Sequence, residues 1–451
     1  MKFIADLHVH SKYSRATAKN LDLENLYIAG QLKGITVLGT GDATHPVWFS
    51  EIREKLVPAE AGLYKLRQDI ARVCDEQVPE TCRGMIRFVL VSEISNIYKK
   101  NEKTRKNHNL VFFPDMDSVE RFNQTLDKIG NIKSDGRPIL GLDARNLLEI
   151  SLEISSQSFL VPAHIWTPWF SMLGSKSGFE SVQACFEDLT PHIFAVETGL
   201  SSDPQMNWRV KALDGLTLIS NSDAHSPMKL GREANLFNTD LSYSHIKNAM
   251  KTGDPNLFLG TFEFFPEEGK YHIDGHRKCH HRSWPTETFQ KKGICPVCGK
   301  PMTLGVSYRV EQLADRPPGS RPKRHHPFHH IIPLNEILSE LLGVGPNTKK
   351  VNKVYNELLI EKGPELKILH ELPLSSLDHM DVPLLGEAIK RVRKKELQII
   401  PGYDGEFGTI QLFLPREKEI MSGQKRMFAV SSPLSDRKKK PKPQTKRGLF
   451  S

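Results

Sequence analysis

The chain has 451 residues, 62 Lys and Arg against 53 Asp and Glu, and a formal net charge of +9 at pH 7. At roughly 150 residues per domain this length allows two to four domains, and every apolar run falls short of the roughly 18 residues that a membrane-spanning helix needs. Six cysteines are too few for a disulfide framework, so membrane-spanning helices and a disulfide-stapled secreted scaffold are both excluded.

The N-terminus enters a strand pattern at once, "KFIADLHV", with no basic leader before it. A soluble, cytoplasmic, monomeric protein is expected. Alternate residues of a strand share a face, so His8 and His10 point one way and Leu7 and Val9 the other. A helical stretch, "LDLENLYIAGQLKG", leads to a second strand, "ITVLGT", followed by Asp42 and His45. The later runs "IRFVLVSEIS", "HNLVFFP", "SFLVPAHIW", "HIFAVETG" and "LTLISNSDAH" repeat the theme, with helical patterns between most of them. This alternation predicts an α/β domain over residues 1–265 with a mainly parallel sheet, open or closed.

The polar residues of interest stand at the edges of these runs, where α/β folds carry their chemistry. They are His8, His10, Asp42, His45, Glu93, His108, His164, Asp223 and His225. Any one of them alone reads best as a hydrogen-bonded core residue. Nine together point to a metal centre, because buried imidazoles and carboxylates are costly unless paired or coordinating. The N/O donor set suits Zn, Mn or Fe.

Residues 266–325 show little periodicity and contain "CPVC". Cys295 and Cys298 have the spacing of a zinc knuckle, and Cys279, sixteen residues earlier, is the natural third ligand. His276, His280 and His281 compete for the fourth place, which His281 is expected to take. A redox reading of the CxxC pair lacks its strand–helix context. Residues 326–424 read as mainly helical, and 425–451 as a disordered tail rich in Lys, Pro and Ser. From Ser435 onward, seven Lys and Arg face a single acid, Asp436, so the tail holds +6 of the +9. The charge marks a basic tail rather than a basic body.

Several cations and aromatics lie beside the predicted ligands: Arg105 and Lys106 before His108, and Trp166, Trp169 and Lys176 after His164. Such mixtures suit nucleic-acid contact as well as they suit a capped core. Arg324 in "RPPGSRPKRHH" is a candidate phosphate contact, and Tyr403 in "PGYDGEFGTI" is expected to project from a glycine-rich turn.

"DLHVHS", the Glu93 strand, "PAHIW" and "NSDAH", in that order, resemble the four motifs of the PHP superfamily of phosphoesterases. The resemblance implies a distorted β/α barrel with a trinuclear metal centre. It assigns His8, His10, Glu93 and Asp223 to one ion, with His8, Glu93 and Asp223 closest to the chemistry. Glu93 would bridge to a second ion held by His108 and His164, and His225 would help hold a third. Ala43 and Arg15 stand where many relatives carry histidine, which leaves Asp42 and His45 as substitutes at the third ion. With "GHRKC…CPVCGKPMTLGVSYRVEQLADR", "HHIIPLNEIL" and "PGYDGEFGTI" included, the chain is similar over residues 1–415 to the endonuclease Q family. That resemblance implies cleavage of double- or single-stranded DNA 5′ to deaminated bases (hypoxanthine, uracil, xanthine) or abasic sites. It implies two or three catalytic Zn²⁺ ions, with Mg²⁺ or Mn²⁺ supporting activity, and one structural Zn²⁺. The alternative is a small-molecule phosphoesterase of histidinol-phosphatase type. Gln444, Leu449 and Phe450 near the C-terminus resemble a sliding-clamp-binding motif.

Overall fold

The strand Lys2–Asp6 is the axis around which the rest is arranged. Its alternation sends Phe3 and Ala5 into one hydrophobic core and Ile4 into another. It runs parallel to Val37–Gly39, which runs parallel to Arg87–Lys100. The helix Leu23–Lys33 makes the first crossover. Its start is set by Asp22, whose side chain accepts from Asn25 N, and its end by Gly34 in the left-handed conformation. The computed structural model describes residues 1–377 and 382–421. The basic tail with Gln444, Leu449 and Phe450 lies outside the described residues.

On one flank Lys2–Asp6 pairs antiparallel with Ala234–Asn238, which pairs with Phe258–Glu263. On the other, Arg87–Lys100 folds back on Lys103–Phe113 as a long antiparallel hairpin. The two turn residues, Asn101 and Glu102, both have positive φ, the geometry that matches the twist of paired strands. The architecture is therefore mixed α/β, parallel at its centre and antiparallel on either side. The hairpin matters for the site. Glu93 faces Leu110 and Ser95 faces His108, so Glu93 and His108 are diagonal neighbours on one face of the sheet.

Met1–Phe413 forms one compact unit; the short helix Pro415–Met421 falls in the unit that begins at Leu414. Within the first unit, the C-terminal helices Leu334–Leu342, Lys349–Lys362 and Leu385–Lys394 bury Leu338, Leu358 and Ile389 in a core that also takes in Val78 and Phe265. A buried ion pair ties these helices to the first crossover: Lys33 Nζ lies 2.6 Å from Glu365 Oε2. Tyr355 donates to the same oxygen at 2.6 Å, and Leu334 N to the other at 3.1 Å. Arg309, on the helix Val306–Leu313, is buried and donates to the carbonyls of Leu173 and Phe179, each at 3.0 Å. That arginine fixes the segment after the cysteine pair against the loop that follows His164. Among the described residues no helix is long and apolar enough to cross a membrane.

Candidate metal centre

His8 and His10 follow the end of the first strand and converge with Glu93 and Asp223. Their donor atoms all lie within 4.8 Å of one another, and so do those of Glu93, His108 and His164. Glu93 belongs to both sets. Its Oε2 is 3.3 Å from His10 Nε2 and 3.5 Å from His8 Nε2, while Oε1 is 2.7 Å from His108 Nδ1 and 3.2 Å from His164 Nε2. His10 Nε2 also lies 3.0 Å from Asp223 Oδ1.

Each ring of the first pair is held from behind by a carboxylate. His8 Nδ1 is 3.1 Å from Glu197, and His10 Nδ1 is 3.1 Å from Asp42. This arrangement fixes ring orientation and leaves Nε2 for a ligand. Two ligand residues sit in strained backbone, His164 at φ 30° and Asp223 at φ 46°. Such conformations concentrate at functional sites, where surrounding structure enforces them. Opposite His164, a Cβ at Gly199 would lie 2.4 Å from the His164 Cβ, so only glycine fits there.

Electrostatics in this cluster are severe. Burial alone would push His8 and His10 down, but Glu197, Glu93 and Asp223 around His8, and Asp42 and Asp223 around His10, hold both well above the usual histidine range. Burial likewise opposes the charge on Glu93, yet His108, Arg137 and His8 hold its carboxyl well below the ordinary value. The surrounding carboxylates thus favour the protonated rings, and ligation of a cation requires release of those protons. Divalent-ion affinity is expected to rise with pH through the neutral range, by about tenfold per pH unit for each proton released. A chelator-competition titration with Zn²⁺ checks this, and an affinity independent of pH would contradict it.

The expected third set does not assemble. Asp42 accepts from Ser11 N at 2.6 Å, Ser11 Oγ at 2.7 Å and Ser14 Oγ at 2.9 Å, besides its contact with His10. All three donors meet Oδ2, and Oδ1 faces His10 Nδ1, so the carboxylate orients that ring. His45 caps the helix Pro46–Lys55: Nδ1 accepts from Trp48 N, and Nε2 lies 3.1 Å from the Lys133 carbonyl. Both ring nitrogens are thereby occupied. His225 packs its ring 4.6 Å from that of His10, with Nδ1 2.9 Å from the Asp223 carbonyl. None of these three belongs to a donor group found among the described residues.

The cysteine module brings Cys279, Cys295 and Cys298 together with His276, not His281. His276 Nδ1 is 3.2 Å from Cys279 Sγ and 3.3 Å from Cys298 Sγ. The reason is local. Arg277–Cys279 is a 3₁₀ turn, whose three-residue repeat returns Cys279 beneath His276. The left-handed residue His280 then turns the chain into the strand His281–Ser283, where His281 pairs with His276 across the hairpin but stays outside the donor group.

Of the residues expected to touch nucleic acid, three are placed elsewhere. Trp166 is fully buried, its indole N–H donating to Asn207 Oδ1 at 2.8 Å. Tyr403 is only 2% exposed, with the Arg282 guanidinium 4.8 Å from its ring. Arg324 donates to Thr217 Oγ1 at 2.6 Å, at the start of the strand Thr217–Ile219, whereas Asp223 follows that strand's other end. Lys176 is exposed, and Trp169 is 42% exposed. Arg105 lies 4.3 Å from the Phe179 ring and Lys106 5.4 Å from that of Phe170.

Two residues of the centre went unread in the sequence. Glu197 ends the strand Ala195–Glu197, and its place after an apolar run matched that of the other ligand-type residues. Arg137, whose Nη1 is 3.0 Å from Glu93 Oε2, sits in a loop with no pattern to mark it.

Beside the centre lies a cavity of about 670 Å³, within the range of ligand sites. Trp169, Tyr271 and Phe264 supply aromatic wall and Arg232 and Lys270 positive charge, while Lys229 is paired with Glu336 at 3.1 Å. Arg232 Nε donates to the Ser222 carbonyl at 2.8 Å and Nη2 to that of Asp223 at 3.3 Å. The cavity and the ligand cluster thus share the segments that follow His164 and Asp223. Glu268, also on the wall, is pushed up to about 8 by burial and by Glu336.

A family described as the MJ0043 C-terminal domain matches residues 333–396. The uncharacterized protein MJ0043 of Methanocaldococcus jannaschii is 33% identical over 282 residues, 60% of this chain and 34% of that relative. The chain therefore spans about a third of the length of that relative. Among solved structures, the lesion-specific endonuclease PfuEndoQ from Pyrococcus furiosus is 31% identical with a TM-score of 0.78, over 91% of this chain and 95% of its own. An endonuclease Q in complex with a 27-mer duplex substrate, with an abasic lesion at the active site, is 30% identical with a TM-score of 0.77, over 93% of this chain and 98% of its own.

Proposed function

The chain belongs to the endonuclease Q family, and from that premise we propose that it is a metal-dependent DNA lesion endonuclease. Its substrates are DNA carrying hypoxanthine, uracil, xanthine or an abasic site, cut at the phosphodiester 5′ to the lesion. The observation that carries the reading is Glu93, one buried carboxylate shared by two N/O donor sets beside an aromatic, positively lined cavity.

The residues fit divalent ions. His8 Nε2 is buried without a hydrogen-bond partner and faces the carboxylates of Glu93 and Asp223. His8, His10, Glu93 and Asp223 would hold one ion, and Glu93, His108 and His164 a second; His276 with the three cysteines would hold structural zinc. Bound in such a centre, divalent ions neutralise charge on the attacked phosphate and lower the pKa of water. Glu197 and Asp42 keep the ligand rings in register. Arg137 and Arg232 add fixed positive charge for the phosphate backbone. Trp169 and Tyr271 offer apolar faces to a nucleotide turned out of the helix, a rotation that costs a few kcal/mol and least at a mispaired or missing base. A sliding clamp as partner of the tail rests on the sequence motif alone.

The test uses a labelled duplex with a single deoxyinosine, deoxyuridine or abasic site beside an undamaged control, with Mn²⁺, Mg²⁺ or Zn²⁺ added. Cutting 5′ to the lesion is expected, and its loss in Asp223→Ala. If no lesion is cut while a free phosphomonoester is hydrolysed, the small-molecule phosphoesterase takes its place.

A further inference from the structure

A nucleotide that leaves the stack leaves a gap, and an unfilled gap recloses. Phe407 stands at the rim of the cavity and is 74% exposed. Single exposed apolar residues are ordinary on protein surfaces; what distinguishes this one is its mount. It lies in the loop between the paired strands Gln398–Ile400 and Thr409–Gln411. That loop is closed on itself by Tyr403 N to Glu406 O at 3.0 Å and the reciprocal bond at 2.8 Å. It is also bonded along its length to the segment 267–270: Gly402 N to Glu267 O at 2.8 Å, Gly408 N to Glu268 O at 3.0 Å, and Gly405 N to Lys270 O at 2.9 Å. The fit is close enough that a Cβ at residue 408 would lie 2.1 Å from the Glu267 carbonyl oxygen. Asp404 adds an anchor on the cysteine module, accepting from Arg277 N at 2.6 Å. Lys270 Nζ stands 5.8 Å from the Phe407 ring and 5.6 Å from that of Tyr271.

We propose that Phe407 is the wedge that enters the base stack where the lesion nucleotide has been turned out. This rests on the endonuclease reading above and adds a residue to it. Apolar side chains inserted between base steps offset the cost of unstacking, and stacking of an aromatic ring on a base is worth about 1–3 kcal/mol. A rigidly mounted ring loses little conformational freedom on insertion. Lys270 at its base is placed for a backbone phosphate, and Trp169 and Tyr271 line the space beside it.

The experiment compares wild type, Phe407→Ala and Phe407→Trp on one lesion placed in a fully paired duplex and in an unpaired bubble of the same duplex. A 2-aminopurine next to the lesion reports unstacking on binding. For Phe407→Ala the rate on the paired duplex is expected to fall at least tenfold further than on the bubble. The 2-aminopurine signal on the paired duplex shrinks with it, and Phe407→Trp restores both. The thermal midpoint of Phe407→Ala should match wild type, because the side chain is largely exposed. Equal losses on both substrates, or no loss on either, would overturn the wedge. A wild type that cuts neither substrate would instead overturn the endonuclease reading, and the wedge with it.

Discussion

Glu93→Gln is expected to slow lesion cleavage by at least about a thousandfold, a loss of roughly 4 kcal/mol of transition-state stabilisation, and to lower the content of divalent metal from both donor sets together. The amide keeps the volume of the carboxylate but has one oxygen in place of two. Whichever way it turns, its NH₂ faces either His8 and His10 or His108 and His164, all now within 2.7–3.5 Å of a carboxylate oxygen. It also leaves Arg137, three-quarters buried, without its acidic partner, and an unpaired buried charge is costly. His108→Ala is the control, since it removes one donor from one set. Metal content after dialysis, measured beside the cleavage rate, separates the two variants. A Glu93→Gln protein that keeps all its metal and most of its rate would show that the carboxylate does not bridge.

Cys295→Ser is expected to release one zinc per chain and to open the module around it. Structural zinc in isolated finger peptides carries about 10–16 kcal/mol of apparent binding free energy at neutral pH, so loss of one thiolate removes most of what holds so small a fold. The neighbours then lose their support. Tyr403 packs against Gly275, and Asp404 Oδ1 accepts from Thr303 Oγ1 at 2.5 Å. Limited proteolysis should cut within residues 274–303 of the variant before it cuts wild type, with a lower thermal midpoint. Cleavage of DNA should fall as well, because the segment that bears Lys270 and Tyr271 leads directly into the module. Unchanged proteolysis and an unchanged zinc count would show that Cys295 holds no zinc.

The strand period of two was enough to put His8 and His10 on one face, and the apolar runs were enough to find the edges where Glu93, His108, His164 and Asp223 stand. What a linear reading cannot resolve is how a polar residue uses its atoms. Asp42 and His45 have ligand chemistry and ligand-like position, but hydroxyls at Ser11 and Ser14 take up the first, and a helix start takes up the second. Trp166 and Tyr403 are buried whereas Trp169, three residues after Trp166, is exposed, and the local sequence does not separate them. Glu197 escaped because its partner His8 is 189 positions away, and nothing local distinguishes an acid that holds a histidine from one that ends a strand. His276 and His281 sit on opposite sides of a single left-handed residue.

Lys33 and Glu365 are 332 positions apart, yet they share one buried contact. The family match begins at residue 333, as though the C-terminal helices were a removable piece. A chain ending at that boundary would retain Lys33 in a pocket with no counter-charge, a loss of roughly 3–5 kcal/mol for a broken buried pair, and would strip Val78 and Phe265 of their apolar cover. The boundary of the family match is thus not a boundary of stability: on heating, the C-terminal helices and the sheet should melt in one transition.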